Sequence, residues 1–402
     1  MPEQKQSIVN KPLILLALSH LTTDLSQGAL PILLPFFKNA FGLSYTQIGL
    51  IVLAQNFTSS VIQPFFGYMT DRYRLPWLVP TGLLLSGLGM AATGFATSYD
   101  LLLMIVISTG LGIAAFHPQG AKAAYLVSAV KLRGRSMAIF SVGGNLGSAS
   151  GSIFMMTLLT LPGVLNNTLF FCIPAVVFSG LLWLNLPQIS SRSATRATSG
   201  TKAANTISFP HVQMTILLSY IFLRSSIAAG LTTYIPLYYA DYLGGSRLYA
   251  SYLLSAFLLA GVVGTLVGGI LSDRFGRKTV IIGSMILVLP LLSLFQYTSG
   301  LVTLGLVVVT GFTFIASFST TTVLAQEIMP GYEASAASLT IGFSIGMGGV
   351  GVTLLGYVAD HFGVPSVFTV ISLIPAAALV LACFLPGRLF IRETAAVRGS
   401  LN

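Results

Sequence analysis

Gly268-Gly-Ile-Leu-Ser-Asp-Arg-Phe-Gly-Arg-Lys278 is a charged, glycine-bearing segment between two long apolar runs, the pattern of a tight hairpin at a membrane face. An earlier segment, Gly67-Tyr-Met-Thr-Asp-Arg-Tyr-Arg74, repeats Gly and Asp-Arg at the same internal spacing. The interval from Asp71 to Asp273 is also the interval from Gly144 in Gly144-Asn-Leu-Gly147 to Gly346 in Gly346-Met-Gly-Gly349. Two echoes at one offset indicate a duplicated membrane half. Aspartate suits such a turn because it caps a neighbouring helix N-terminus, while arginine stays on the anionic cytoplasmic side.

Composition sets the class around this segment. The 402 residues are 54% hydrophobic and only 7% charged, against about 25% charged in a soluble globular chain. The apolar runs approach the roughly 20 residues that a helix needs to cross a bilayer, and they lack the alternation of a transmembrane strand. The chain is therefore read as an all-α integral membrane protein. Its net charge of +10 does not point to nucleic acid, because Lys and Arg are scattered through short loops. Cys172 and Cys383 lie in separate apolar runs with no CxxC or Cys/His cluster, so no disulfide, metal or cofactor is expected. The first apolar segment carries Asp24 and no small-residue cleavage site, so it is expected to be a retained helix rather than a signal peptide.

Apolar runs punctuated by Gly, Pro and charge predict helices near 13–37, 46–69, 77–97, 101–126, 134–161 and 167–186. Six more are predicted near 212–239, 248–272, 279–298, 301–326, 333–357 and 364–385. The small polar and basic residues of 190–202 cannot bury themselves and read as a linker. The expected organisation is an N-terminal six-helix bundle (1–187), a cytoplasmic linker (188–210) and a C-terminal six-helix bundle (211–402). With both termini inside, Lys38 and Arg247 are the only basic loop residues left outside, which is the bias of the positive-inside rule. The glycines of 144–147 and 346–349 allow close helix packing, with or without sliding during a conformational cycle.

Ionisable groups at bilayer depth cost roughly 2.5–3.5 kcal/mol each on insertion scales, so each needs a partner or a role. His20 and Asp24 sit at i and i+4 on one helix face, where Asp24 either exchanges a proton or ties helices together. Phe116-His-Pro-Gln-Gly-Ala-Lys122 loosens a helix with proline and glycine and puts His117 and Gln119 near mid-depth, as cavity lining or as satisfied hydrogen-bonders. Lys122, nearer the helix end, can snorkel to water. Arg224 lies well inside its apolar run, with Asp24 and Glu327 as its best distant partners; it is either permanently paired or faces a wet cavity and meets an anion. Glu327 closes a helix at the cytoplasmic face as a proton site or a gate contact.

The duplicated six-helix half, with Gly-x-x-x-Asp-Arg-x-Gly-Arg-Lys between helices eight and nine and a degraded copy between two and three, resembles the major facilitator superfamily. Ser19-His20 with Asp24, Phe116-His117-Pro118, Gly143-Gly-Asn145-Leu-Gly147, Ala325-Gln326-Glu327-x-x-Pro330-Gly331 and Gly346-Met-Gly-Gly349, in that order, resemble its fosmidomycin-resistance efflux group. The resemblance implies gating roles for Gly67, Asp71, Arg72, Gly269, Asp273, Arg274, Gly276, Arg277 and Lys278, although Arg74 and Leu75 replace the later Gly and Arg in the first copy. It implies proton-coupled export of a small anionic compound, typified by a phosphonate antibiotic, across the inner membrane by a functional monomer. Asp24, His20 and Glu327 are then the candidate proton-coupling residues. His117, Arg224, Gln119, Lys122, Asn145 and Gln326 are the candidate substrate contacts. The group usually has an acid where this chain has Gln119, so position 119 is not its proton carrier. It commonly has Lys where this chain has Arg224, and arginine does not deprotonate in a working cycle, so Arg224 suits anion contact or pairing with Asp24.

Alternatives of the same fold are an organic-anion or nutrient importer and a metallophore or siderophore exporter. The chain has no Gly-x-x-x-x-Gly-Lys-Ser/Thr run for ATP, and no His-Glu-x-x-His or Gly-x-Ser-x-Gly that an intramembrane enzyme would use.

Overall fold

The computed structural model describes residues 10–73, 75–127, 133–191, 211–329 and 333–387, without the side chains of a few residues at helix ends, Asp71 and Asp273 among them. These residues form no strand. The first half comprises α1 (Lys11–Phe41), α2 (Tyr45–Ser60), α3 (Gln63–Arg72), α4 (Leu78–Ala92), α5 (Tyr99–Val127), α6 (Arg133–Leu159), α7 (Cys172–Leu184) and the short α8 (Leu186–Ser191). The second comprises α9 (His211–Leu237), α10 (Arg247–Phe275), α11 (Arg277–Leu294), α12 (Gly300–Ile328), α13 (Glu333–Phe362) and α14 (Val364–Cys383). With α2 and α3 counted as one broken span, they make two bundles of six membrane-length helices.

Ten of the spans are long and apolar enough to cross a membrane by composition alone. The other two, α1 and α6, carry the polar segments His20-Leu-Thr-Thr-Asp24 and Gly143-Gly-Asn-Leu-Gly-Ser148. The expected helix 46–69 is broken at 61–62, where Pro64 starts the new helix α3, because proline has no N–H to continue the hydrogen-bond ladder. The expected helix 167–186 begins as a 3-10 segment over Val164–Phe171. The expected linker begins at its N-terminal edge as helix α8, and 192–210 lie outside the described residues. Gly276 joins α10 to α11 in a single residue with φ 91°, a conformation that glycine adopts without a Cβ penalty. The hairpin expected from residues 268–278 is that link.

A glycine stripe seats α6 on α1. Cβ atoms on Gly143, Gly147 and Gly151 would collide with the carbonyls of Ala17, Leu21 and Leu25 respectively. Four-residue spacing on both helices lets the backbones touch along two turns, the means by which helices bind tightly in lipid without a hydrophobic drive. The close-packing register is thus 143, 147 and 151, whereas the neighbouring Gly144 faces His20 and Asp24.

The halves are joined at the end away from Gly276. Asp360, in the last turn of α13, accepts from the first two backbone N–H groups of α2, those of Tyr45 (2.6 Å) and Thr46 (2.9 Å), and from Thr46 Oγ1 (2.6 Å). Tyr45 donates its hydroxyl to Asp241 (2.7 Å), which also pairs with Lys38 Nζ at 3.1 Å. Arg247 caps the same end, its guanidinium 4.3 Å from the centre of the Phe36 ring. Deeper in, Ser152 of α6 hydrogen-bonds Ser255 of α10.

Candidate functional site

Two sites emerge, both packed against α6. The first is a cluster inside the N-terminal bundle. His117 Nε2 lies 2.8 Å from Asp24 Oδ1, and His20 Nε2 lies 3.3 Å from Asp24 Oδ2. All three side chains are mostly buried, at 13, 10 and 19% exposure for His20, Asp24 and His117. His20 Nδ1 is 2.8 Å from the Phe140 carbonyl of α6. A carbonyl only accepts, so Nδ1 carries a hydrogen. In a neutral ring Nε2 would then turn a lone pair on the Asp24 carboxylate. A proton between them, on His20 Nε2 or on Asp24 Oδ2, turns the 3.3 Å contact from repulsive to attractive. The imidazole is held further by stacking on Phe140, with centroids 4.2 Å apart. These three residues are also the described trio whose donor atoms, all within 4.8 Å of one another, suit a metal ion.

The second site is a cavity of about 490 Å³ between the halves, walled by α2, α6, α9, α10, α12 and α13. Its floor is mixed: Ser141, Asn145 and Ser148 of α6 face Phe257, Leu258, Phe314 and Phe318. Arg224 enters from α9 and is 3% exposed. It donates from Nη2 to Ser344 Oγ at 3.1 Å, and Ser344 is 2.6 Å from Ser225 Oγ. The guanidinium lies 4.9 Å from the Phe318 ring centre and 5.7 Å from that of Phe314, within the reach of a cation–π contact. Its Nε has no partner among the described residues, and no described carboxylate pairs with it. Of the two alternatives expected for Arg224, permanent pairing with Asp24 or Glu327 is not the arrangement found among the described residues. Asp24 is held by His20 and His117, Glu327 is held by Arg277, and the guanidinium of Arg224 meets hydroxyls and ring faces.

The remaining expected residues separate. Asn145 lines the cavity, while His117 belongs to the Asp24 cluster instead. Gln119 is buried, its Oε1 without a partner among the described residues, and it is not among the residues lining the cavity. Lys122 donates to the Thr70 carbonyl at 2.6 Å, tying α5 to α3. Glu327 accepts from Arg277 Nε at 3.0 Å, and Arg277 also donates to Ser272 at 2.7 Å. Lys278 donates to the Cys383 carbonyl at 2.6 Å. Arg277, Lys278 and Glu327 thus bind the Gly276 link to α12 and α14 at the bundle end, with half-buried Gln326 beside Glu327. In the first copy Arg72 donates to Tyr68 at 2.9 Å, in the second Arg274 lies over Phe275, and Gly67 and Gly269 have ordinary contact and open space around them respectively. The side chains of Asp71 and Asp273 lie outside the described residues.

The Major Facilitator Superfamily profile matches residues 16–340 and 217–398. The fosmidomycin resistance protein of Escherichia coli is 34% identical over 378 residues, covering 92% of this chain and 91% of that one. The chain belongs to the Major Facilitator Superfamily. An uncharacterized MFS-type transporter of Bacillus subtilis, YfnC, is 31% identical over 97% of this chain and 98% of its own length. A solved structure of a mutant of the nucleoside transporter NupG matches with a TM-score of 0.75 at 13% identity, over 93% of this chain and 99% of that one, which is likeness of fold alone. This major facilitator protein is a multi-pass membrane transporter and not an enzyme.

Sequence reasoning missed the bonds that join the halves of the transporter. Asp360 carried a signal: an acid in the last turn of a helix opposes that helix's own dipole, and the misfit is relieved by the N-terminus of α2. Phe314, Phe318 and Ser344 carried none, because aromatic and serine residues in apolar helices are commonplace until the fold turns them towards Arg224.

Proposed function

We propose that this transporter exports a small anionic, drug-like compound of the phosphonate type in exchange for protons, across a bacterial inner membrane with both termini in the cytoplasm. The observation that carries this reading is Arg224: a buried, permanently charged guanidinium at the wall of a central cavity, with no carboxylate beside it among the described residues. The hydroxyls and ring faces around it carry no opposing charge; a cation without a counter-charge in a membrane interior is costly, and an anionic cargo relieves it. The similarity to a fosmidomycin resistance protein supports both the cargo class and the direction.

Protons act through the part of α6 around Phe140 and Gly144, next to its cavity-lining residues. With a proton between His20 Nε2 and Asp24 Oδ2, the two groups attract and α6 is held through Phe140 and Gly144. Without it, the lone pair and the carboxylate repel. Ser141, Asn145 and Ser148, on the cavity side of the same helix, then shift relative to Arg224. Proton and anion thereby favour different positions of one helix, which is the coupling that antiport requires. The halves rock about this midplane site, and the bonds of Asp360 and Asp241 hold the state closed to the outside. The linker 188–210 connects the two moving bodies.

Proteoliposomes with an imposed pH gradient test the scheme. Wild-type protein should accumulate fosmidomycin against its gradient, Arg224→Gln should lose anion binding, and Asp24→Asn should bind but not accumulate. Undiminished pH-driven accumulation by Asp24→Asn would refute the proton site, and unchanged affinity in well-folded Arg224→Gln would refute the anion site.

A further inference from the structure

Behind the central cavity lies a second lobe of about 210 Å³. Asn56, Ser148, Ala229, Thr232 and Leu258 line both, so the two are neighbouring compartments of one space. The lobe extends away from Arg224 towards the joined end. On α9 it reaches Thr233, more than two turns beyond Arg224, and on α2 it reaches Val52, which lies between Asn56 and the Asp360-bound terminus.

The chemistry of the two compartments differs. The cavity holds a fixed positive charge. The lobe contains no ionisable residue, and its polar groups are the carboxamides of Gln27, Gln55 and Asn56 and the hydroxyls of Ser148, Thr232 and Thr233. Much of this capacity is unspent. Gln55 Nε2 and Thr233 Oγ1 are buried without a hydrogen-bond partner, and the side-chain amides of Gln27 and Asn56 bond to no protein group among the described residues. Carboxamides both donate and accept, and a buried polar group left unmatched is costly. A neutral group that itself donates and accepts, such as an amide, hydroxamate or hydroxyl, matches such a lining. A second charge does not, because nothing there would balance its desolvation. Between the two ends, Leu258 of α10, which lines both compartments, offers an apolar wall to a short carbon chain.

We infer that the lobe is a tail-recognition subsite, selecting anions charged at one end only and bearing an uncharged donor–acceptor group at the other. The inference rests on the proposed anion site at Arg224 and adds the substrate's second end. It separates the preferred cargo from compounds charged at both ends, such as dicarboxylates and bisphosphonates.

Three probes of graded chemistry test it by calorimetry on the purified full-length transporter: fosmidomycin, with a phosphonate head and a neutral N-hydroxyformamide tail; propylphosphonate, with no polar tail; and propane-1,3-bisphosphonate, charged at both ends. Wild-type protein should prefer fosmidomycin to each of the others by tenfold or more. Gln27→Leu and Gln55→Leu should lower the ratio of fosmidomycin to propylphosphonate affinity about tenfold, the scale of one or two buried hydrogen bonds. Gln27→Lys should raise affinity for the bisphosphonate, a gain that a misfolded variant does not produce. Equal wild-type affinity for fosmidomycin and propylphosphonate, or no change in the ratio in the leucine variants, overturns the subsite while leaving the anion site standing. Binding that survives Arg224→Gln for all three probes, or wild-type binding of none, overturns the anion reading and the subsite with it.

Discussion

Replacing Asp360 by alanine should release the joined end of the transporter. The carboxylate accepts three hydrogen bonds from the start of α2, at 2.6, 2.9 and 2.6 Å, and it is a charge of the sign favoured at a helix N-terminus. Loss of a helix-capping side chain costs about 1 kcal/mol, and loss of a favourable dipole interaction at an exposed site adds about 0.3–1 kcal/mol. Water can replace part of the hydrogen bonding, so a net effect of about 1.5 kcal/mol is expected, or about tenfold in the ratio of closed to open states. Because Tyr45, Thr46 and Asp360 belong to different halves, the change falls on the conformational equilibrium rather than on the stability of either bundle. Asparagine keeps a neutral acceptor and should have a smaller effect, about threefold. The assay is pulsed electron spin resonance between labels at exposed Asn39 and Phe362 in a chain with Cys172 and Cys383 replaced by serine. In Asp360→Ala the long-distance population should grow by about tenfold relative to the short one. Distance distributions that match the parent, in protein that binds cargo normally, would show that the joined end is held by packing and that these hydrogen bonds are incidental.

Other expectations follow from single contacts. Gly147→Leu should abolish recovery of folded protein on fluorescence-detected gel filtration, since its side chain meets the Leu21 carbonyl, whereas Gly180→Leu, with open space around it, should behave as wild type. Normal recovery of Gly147→Leu would refute the backbone contact between α6 and α1. His117→Leu should weaken the dependence of transport rate on external pH while sparing cargo affinity, because Asp24 loses its 2.8 Å partner; an unaltered pH profile would remove His117 from the coupling cluster. Phe318→Ala should reduce anion affinity by about two- to fivefold, the scale of one cation–π contact of roughly 0.5–1 kcal/mol, read by calorimetry with fosmidomycin, and an unchanged dissociation constant would count against it. Glu327→Gln should alter the rate of transport more than the affinity, since its carboxylate holds Arg277 at the bundle end and not the cavity; a pure affinity defect would contradict that placement.

Much of the architecture was legible in the chain because membrane crossing is a local property. A run of apolar residues long enough to span hydrocarbon is helical unless it closes into a barrel, so ten of the twelve spans could be read directly, and the more polar α1 and α6 followed from the Gly, Pro and charge that bound them. The Gly276 hairpin was legible for the same local reason. The singling out of His20, Asp24, His117 and Arg224 also needed no structure, because polar groups in such runs require an explanation. Their partners did need it. His20 and Asp24 are neighbours on one helix, yet the third member stands 93 residues away on α5, and the closing contact to Phe140 comes from α6. Arg224 and Asp24 are opposite charges that sequence alone invites one to pair. The fold gives them different partners, His20 and His117 for Asp24, and Ser344 with the Phe314 and Phe318 rings for Arg224. Which face of a helix meets which neighbour depends on rotation and register, and these are set by glycine contacts such as Gly143, Gly147 and Gly151 on the carbonyls of α1 rather than by hydrophobicity, which is nearly uniform around a membrane helix. Sequence therefore determined that this is a duplicated helical transporter with a few costly charges; tertiary packing alone decided which of those charges share a site, because in lipid it is close backbone contact that orients the helices.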